Sequence, residues 1–199
     1  LGSGFVNQAK YIASHAGFPW WTHQANRKVG VIAHAGNGVL SRHVPTKVDQ
    51  HRLPGAIPGR GALVLKFGTG IGALWLVVLH LALGRRARRQ QLRYVAHLVD
   101  RHPHVVVMGD LNTGPDSREV VEFCERAGLV LPRRDLLTFP SWHPQRAIDH
   151  ILVSPKLRVS SLDVLDTTLS DHRPLAMTLE LPAGVSLQGA LKGHAQRGQ

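Results

Sequence analysis

The segment Val105-Val106-Val107-Met108-Gly109-Asp110-Leu111-Asn112 joins an apolar run to a carboxylate and an amide. A short apolar run of this kind is strand-like. Asp110 comes where this strand is expected to end, so its carboxylate is placed at one edge of a sheet. The segment therefore predicts a strand with a polar site at one end.

Two later segments repeat this pattern of an acidic residue beside a short apolar run. They read Ile148-Asp149-His150-Ile151 and Ser170-Asp171-His172-Arg173-Pro174, and each continues into a strand-like stretch. Carboxylates at strand ends converge at one edge of a sheet, where they can hold a divalent cation and orient a histidine. Attack of water on a phosphoester needs such groups, so the pattern favours a metal-dependent phosphoesterase.

The residue types suggest a role for each side chain. Asp171 is a candidate metal ligand, because hard cations prefer carboxylate oxygen. Asp110 is a candidate base or orienting group, and Asn112 is expected to point from the same face of the strand. His172 can bind a phosphoryl oxygen or carry a proton, and Asp149 can fix its tautomer.

Simpler interpretations exist for the same residues. An Asp-His pair is often structural, and Asp110-Leu111-Asn112 could form only a turn. His150 is expected to pack or to make a structural hydrogen bond. His80, at the end of a strongly apolar strand, is a second candidate imidazole for catalysis.

The chain of 199 residues is long enough for one domain, and its formal net charge is +11. This excess indicates a polyanionic partner such as nucleic acid, a phosphorylated small molecule or an anionic membrane, with a merely solubilising surface as the alternative. Cys124 is the only cysteine, which excludes an internal disulfide and a thiol metal site. Cys124 is expected to be a small buried residue.

No segment has the character of a transmembrane helix. The longest apolar run, Ile71 to Leu83, is too short to span a bilayer. No signal peptide is recognised at the start of the sequence, and we expect a cytoplasmic monomer. A domain over residues 1–182 and a disordered basic tail over residues 183–199 are expected.

Periodicity and turn signals give an order of elements. Helices are predicted over Asn7 to His15 and over Arg85 to Val99. In the second helix, Arg85, Arg89 and Arg93 repeat on one face, which is either a phosphate-binding surface or a solvated one. A further helix is predicted to start at Asp116, with Glu119 in a capping box, and to end at Gly128. The remaining predictions are strands at Val29 to Ala33 and Gly38 to Leu40 around a Gly36-Asn37-Gly38 turn, a loop from Val44 to Pro58, and a hairpin of Ala62 to Phe67 with Ala73 to Leu81.

Together these motifs resemble the endonuclease/exonuclease/phosphatase superfamily, with its deoxyribonuclease I-like fold. The family signatures GDxN, IDxI and SDHxP correspond to Gly109–Asn112, Ile148–Ile151 and Ser170–Pro174. Further similarities are Gly36–Arg42, Arg60–Leu63, Val78–Leu81 and Thr138–Pro140. The resemblance implies an α/β (α+β) four-layer sandwich in which two mixed β-sheets are flanked by helices.

The resemblance also implies Mg²⁺ or Mn²⁺ and in-line hydrolysis of a phosphoester. It assigns the attacking water and the phosphate to Asp110 and Asn112, and the metal to Asp171 together with Asp110. His172, supported by Asp149, would stabilise the transition state or act in acid–base catalysis. The remaining implied residues are His80, as a second phosphate-facing imidazole, and Asn37 and Arg60, which would line the site.

One family feature is not found in the sequence. The family has an early strand that ends in Gln-Glu, whose Glu is the principal metal ligand, and Leu1 to Phe5 correspond to a point just downstream of it. We expect that the sequence lacks its natural N-terminus, with a degenerate member as the alternative. Three alternative functions are therefore considered. The protein is a nuclease-like phosphodiesterase, a phosphatase or phosphodiesterase that acts on a phospholipid or small phosphorylated metabolite, or a non-catalytic binding module.

Overall fold

The computed structural model describes residues 11–29, 33–55 and 59–187. A five-stranded sheet lies at its centre, in the order β3-β4-β5-β6-β7. Neighbouring strands are antiparallel except β5 and β6, which are parallel, so the sheet is mixed. The strands are β3 (Lys47–Arg52), β4 (Gly61–Phe67), β5 (Leu74–His80), β6 (Val105–Asp110) and β7 (Asp149–Val153).

Two helices cover one face of this sheet. They are α1 (Arg85–Val99), which connects β5 to the parallel strand β6, and α2 (Arg118–Ala127). The apolar stripe of α1 is buried in the main core against both the sheet and α2, and it consists of Leu92, Val95, Ala96 and Val99. The predicted helix from Arg85 to Val99 is therefore confirmed at both ends.

Two antiparallel strand pairs cover the opposite face. One consists of β1 (Trp20–Val29) and β2 (Ala33–Ser41), and the other of β8 (Arg158–Val164) and β9 (Leu175–Glu180). Each pair packs apolar side chains against the five-stranded sheet. The predicted α/β sandwich is confirmed, and in the described residues these two pairs form the second sheet layer.

The predicted turn at Gly36-Asn37-Gly38 is wrong. Asn37 lies inside β2 and pairs with Gln24 of β1, in a register that runs from Trp20 opposite Ser41 to Val29 opposite Ala33. Glycines on both sides of an asparagine are strong turn formers, and here they conceal a continuous strand. The position of the connection, residues 30–32, lies outside the described residues.

The loop predicted from Val44 to Pro58 is also wrong in part, because it contains β3. The strand Lys47–Arg52 is at the edge of the sheet and is mostly polar, so it lacks the apolar alternation of an inner strand. The hairpin of β4 and β5 is confirmed. Residues 11–15 are helical, whereas the first part of that predicted helix lies outside the described residues.

The predicted start of α2 needs a correction. Ser117 rather than Asp116 is the N-cap, and no side chain makes a capping hydrogen bond there. Glu119 is instead buried between the helices, where it accepts hydrogen bonds from Arg88. Gly128 ends the helix as predicted, with a left-handed φ of 63° and a hydrogen bond to the carbonyl of Cys124.

The first residues of the predicted tail, 184–187, pack against the rest of the protein. Leu187 contacts the apolar cluster beneath β2, and the backbone of residues 184–186 runs beside Gly68 and Gly72. Residues 188–199 lie outside the described part of the chain. Among the described residues, no helix has the length and apolar character needed to cross a membrane.

Candidate active site

Three neighbouring strands place their polar ends side by side. In the sheet register, His80 of β5 lies opposite Asp110 of β6, and Asp110 lies opposite Asp149 of β7. His80 Nε2 is 3.2 Å from Asp110 Oδ2. The register therefore brings together an imidazole and two carboxylates at one edge of the sheet.

The backbone at the end of β6 permits this close approach. Gly109 has a φ of 139°, and a Cβ atom there would lie 1.9 Å from the carbonyl oxygen of Leu79. Only glycine can therefore occupy this position without a shift of β5 relative to β6.

Asp149 holds His172 in a fixed orientation. Asp149 Oδ2 is 2.7 Å from His172 Nδ1, and it also accepts a hydrogen bond of 2.5 Å from the hydroxyl of Thr138. The imidazole lies tilted against the ring of Phe139, with 4.9 Å between the ring centroids. Because Nδ1 is engaged by Asp149, Nε2 is the ring nitrogen left to meet a substrate.

Asn112 is placed differently from the sequence prediction. It lies beyond the end of β6 with a φ of 54°, and its backbone N–H donates to Asp110 Oδ1 at 2.7 Å. Its side-chain amide donates to the carbonyl of Leu81 at 2.8 Å. Asn112 therefore closes a tight turn that orients Asp110, and it does not share a strand face with Asp110.

The surroundings of His172 favour its charged form. Burial opposes the charge, but the hydrogen bond to Asp149 and the charges of Asp149, Asp110 and Asp171 outweigh it and raise the pKa of His172. His172 therefore carries a positive charge in a larger fraction of molecules near neutral pH than a histidine in water.

His80 and Asp110 are shifted toward their neutral forms. Burial, followed by the charges of Arg60 and His172, lowers the pKa of His80 to about 4. Burial raises the pKa of Asp110, to which the like charge of Asp149 contributes, against the hydrogen bond from Asn112. A neutral imidazole and a carboxylate of increased basicity thus lie next to each other, as at sites of proton transfer.

The remaining predicted site residues lie in different surroundings. Asp171 is exposed, and its Oδ1 accepts a hydrogen bond from Ser170 Oγ at 3.0 Å. Asn37 is 6% exposed and donates to the backbone carbonyls of Gly61 and Val78. Arg60 is half-buried, and its charge acts on both His80 and Asp110.

His150 has the structural role expected of it. It is buried, and its Nε2 is 2.8 Å from the carbonyl oxygen of Thr113. Thr138, by contrast, was identified from the sequence only as part of a family motif. Its hydrogen bond to Asp149 was missed, because the partner of a hydroxyl depends on contacts between distant segments.

The arginine face of α1 is exposed to solvent at Arg85 and Arg93, and part of it is paired with α2. Arg89 forms two hydrogen bonds with the carboxylate of Glu122, and Arg85 lies 3.6 Å from Glu119. Two of the three repeating arginines are therefore paired with α2.

A group of donors suited to a metal ion lies at the same edge. Asp110, Asp149 and His172 each offer one ligand atom, and these atoms lie within 4.8 Å of one another. Carboxylate oxygens are the ligands that hard divalent cations prefer, and Mg²⁺ commonly binds one or two carboxylates together with waters and substrate phosphate. Asp149 and His172 are engaged with each other, so of these three residues the carboxylate of Asp110 is the one that fits a divalent cation whose coordination a phosphate and waters complete.

The mixed sheet with its flanking helices defines an α/β fold, and sequence comparison identifies the family. The chain belongs to the endonuclease/exonuclease/phosphatase family, whose model matches residues 6–172. Comparison with curated protein sequences gives no match.

Solved structures support the fold. An endonuclease/exonuclease/phosphatase family protein from Bacteroides thetaiotaomicron has a TM-score of 0.72 at 18% identity, over 90% of this chain and 82% of that one. A mannosyl-6-phosphatase from the same organism has a TM-score of 0.70 at 19% identity, over 88% and 82%. TDP2 from D. rerio, in complex with a single-strand DNA product, has a TM-score of 0.66 at 17% identity, over 86% and 80%.

Proposed function

We propose that this protein is a phosphoesterase that depends on a divalent metal and hydrolyses a phosphodiester by in-line attack of water. The observation that carries the proposal is the Asp149–His172 pair, which lies at the same sheet edge as Asp110 and His80. Family membership supports hydrolysis of phosphoester bonds as the type of reaction.

The proposed reaction uses Asp110 and His172 on the water and the phosphate. Asp110, which the turn at Asn112 orients, positions the attacking water and accepts its proton. The bond from the water oxygen to phosphorus forms while the bond to the leaving oxygen breaks, and solvent protonates the leaving oxygen. His172, charged and held by Asp149, donates from Nε2 to a phosphoryl oxygen and stabilises its developing charge.

The divalent cation would be Mg²⁺ or Mn²⁺, with Asp171 and Asp110 as carboxylate ligands. When bound, it neutralises phosphate charge and polarises the phosphoryl group. The exposed carboxylate of Asp171 lies close enough for its charge to act on His172. Each carboxylate oxygen has more than one acceptor position, so Asp110 can also contact the water.

Nucleic acid is the substrate class that the chain composition supports best. The net charge of +11 favours a polyanion over a small neutral molecule, and one relative in fold is described with a DNA product. Trp142 is 68% exposed, and it follows Ser141, whose hydroxyl donates to the carbonyl of Ser170 and whose N–H donates to the carbonyl of Asp171. An exposed indole near the site can stack on a base.

A phosphomonoester of a small metabolite is the second candidate substrate. A relative in fold is described as a mannosyl-6-phosphatase, and fold alone does not decide between substrates. The two candidates differ in the charge and the size of the group that the enzyme must accommodate around the phosphate.

A substrate panel tests the proposal. Hydrolysis of bis-p-nitrophenyl phosphate, p-nitrophenyl phosphate, mannose 6-phosphate and plasmid DNA is measured with Mg²⁺, with Mn²⁺ and with EDTA. His172→Ala is expected to reduce kcat by about 10²- to 10⁴-fold, whereas His97→Ala, on the exposed face of α1, keeps the wild-type rate. A protein that hydrolyses none of these substrates with either metal would contradict the proposal.

A further inference from the structure

Thr138 is the one residue that contacts the Asp149–His172 pair through a fully buried hydroxyl in the described structure. It is 0% exposed, and its Oγ1 lies 2.5 Å from Asp149 Oδ2. Asp149 Oδ2 is also 2.7 Å from His172 Nδ1. The hydroxyl and the imidazole therefore share one acceptor atom, which restricts rotation of the carboxylate.

The backbone of Thr138 is fixed from both sides. Its N–H donates to the carbonyl of Arg146 at 3.0 Å, and its carbonyl accepts from the N–H of Arg173 at 2.8 Å. Arg173 directly follows His172 in the chain. Thr138 thus connects the carboxylate that holds the imidazole with the backbone segment that carries it.

The geometry points to Thr138 as a positioning residue that keeps Asp149 aligned on His172. The effect of this alignment on catalysis rests on the proposed phosphoesterase function. Without the hydroxyl, Asp149 Oδ2 loses one of its two donors, and the carboxylate can turn away from the imidazole. A misplaced imidazole lowers the rate of the chemical step more than it weakens substrate binding.

Thr138→Val removes the hydroxyl and keeps the shape of the side chain, whereas Thr138→Ser keeps the hydroxyl. We expect Thr138→Val to lower kcat by about 10- to 100-fold with less than about a threefold change in KM, as is usual for residues that orient a catalytic group. Thr138→Ser is expected to keep kcat within about threefold of the wild type.

Ser154→Ala is the matched control for loss of a buried hydroxyl. Ser154 Oγ accepts a hydrogen bond from the N–H of Val105, at the opposite end of β6 from Asp110. Its variant is expected to lower the melting temperature and to leave kcat unchanged. If Thr138 had only a structural role, Thr138→Val would likewise lower the melting temperature and leave kcat unchanged.

A spectroscopic measurement tests the inference even if no substrate is found. The Nδ1 proton of His172, identified by its loss in His172→Ala, is expected as a downfield resonance in the proton NMR spectrum. Thr138→Val should shift or broaden this resonance, and Thr138→Ser and Ser154→Ala should retain it.

The two measurements separate failure of this inference from failure of the proposed function. An unchanged resonance in Thr138→Val, or a kcat equal to that of Ser154→Ala, would overturn the role of Thr138. A wild-type protein that is inactive on every substrate would overturn the proposed function, while the resonance in Thr138→Val would still decide whether Thr138 aligns the pair.

Discussion

Asp149 Oδ2 accepts two hydrogen bonds, and this atom fixes the orientation of the His172 ring. The hydroxyl of Thr138 and the ring of His172 reach it from different segments of the chain. Both contacts are shorter than a typical neutral hydrogen bond, as expected when the acceptor is a carboxylate. Individual residues at this edge therefore act through the hydrogen bonds that align them.

Much of the site was predictable at the residue level. Asp110, Asp149 and His172 follow from the position of acidic residues beside apolar runs, and the structure brings these three together. Asn112 was predicted to share a strand face with Asp110, but its left-handed backbone turns it toward Leu81. Such a turn depends on backbone dihedral angles, which the residue types alone do not fix.

His150 gives a pH-dependent prediction at this scale. Burial, against the hydrogen bond to Thr113, lowers its pKa below the ordinary 6.5, so the unfolded chain binds more protons as the pH falls. The free energy of unfolding should therefore decrease as the pH falls below about 6.5. Urea unfolding of His150→Gln should show a weaker decrease between pH 7.5 and pH 5 than the wild type, and equal slopes would refute this contribution.

A buried ion pair joins the two helices that cover the sheet. Arg88 of α1 and Glu119 of α2 are 2.8 Å apart, with side chains 10% and 3% exposed. Arg88 also donates to the carbonyl of Leu83, so the pair ties α1 and α2 to the segment after β5. Elements around the site are held together by polar contacts as well as by apolar packing.

Glu119→Gln is predicted to destabilise the protein by about 3–5 kcal/mol, because it leaves the buried charge of Arg88 without its partner. Asp116→Asn is the matched control, since Asp116 pairs with Arg134 at the surface and its loss should cost at most about 1 kcal/mol. Chemical denaturation of both variants measures the difference. A similar decrease in the free energy of unfolding for both variants would show that burial of the Arg88–Glu119 pair adds nothing to its effect on stability.

Gly109→Ala is predicted to lower the stability by about 3 kcal/mol or more, because backbone strain costs about 1–3 kcal/mol and overpacking adds about as much. The new methyl group would meet the carbonyl oxygen of Leu79, next to the site. Gly114→Ala, where no atom lies within 4 Å, is the control and should change the stability little. Calorimetry on both variants provides the comparison, and equal melting temperatures would contradict it.

Secondary structure was predictable where the apolar pattern was strong. The stripe of α1 and the runs of β5 and β6 identified these elements from sequence. Within the pair β1–β2, the predicted strand Gly38–Leu40 lies in β2, but the full extent of both strands was missed because glycines interrupt β2. The strand β3 was missed because an edge strand exposes polar side chains. Glu119 suggested a capping box, and only the packing of α2 against α1 shows its bond to Arg88.

At the scale of the whole molecule, the positive charge is partly neutralised by internal ion pairs. Arg89, Arg133 and Arg134 each pair with a carboxylate. The net charge of +11 nevertheless leaves a large excess of basic groups. This excess gives the proposed preference for nucleic acid a measurable consequence.

Binding of a DNA duplex in EDTA is predicted to weaken steeply with salt. A protein that contacts 6–10 phosphates loses about 10³- to 10⁵-fold in affinity between 50 and 200 mM salt. Fluorescence anisotropy at several salt concentrations measures the slope. A shallow slope, with tighter binding of a phosphorylated sugar, would instead favour the small-metabolite substrate.

Metal-dependent hydrolysis of bis-p-nitrophenyl phosphate by the wild type and by Asp110→Asn tests the proposed reaction. The wild type is expected to turn over this substrate with Mg²⁺ or Mn²⁺, and kcat is expected to be about 10²- to 10⁴-fold lower in Asp110→Asn, because the amide cannot accept the proton of the water. Asp116→Asn, at the surface, should keep the wild-type rate. Equal rates for Asp110→Asn and the wild type, or no turnover with either metal, would contradict the proposed reaction.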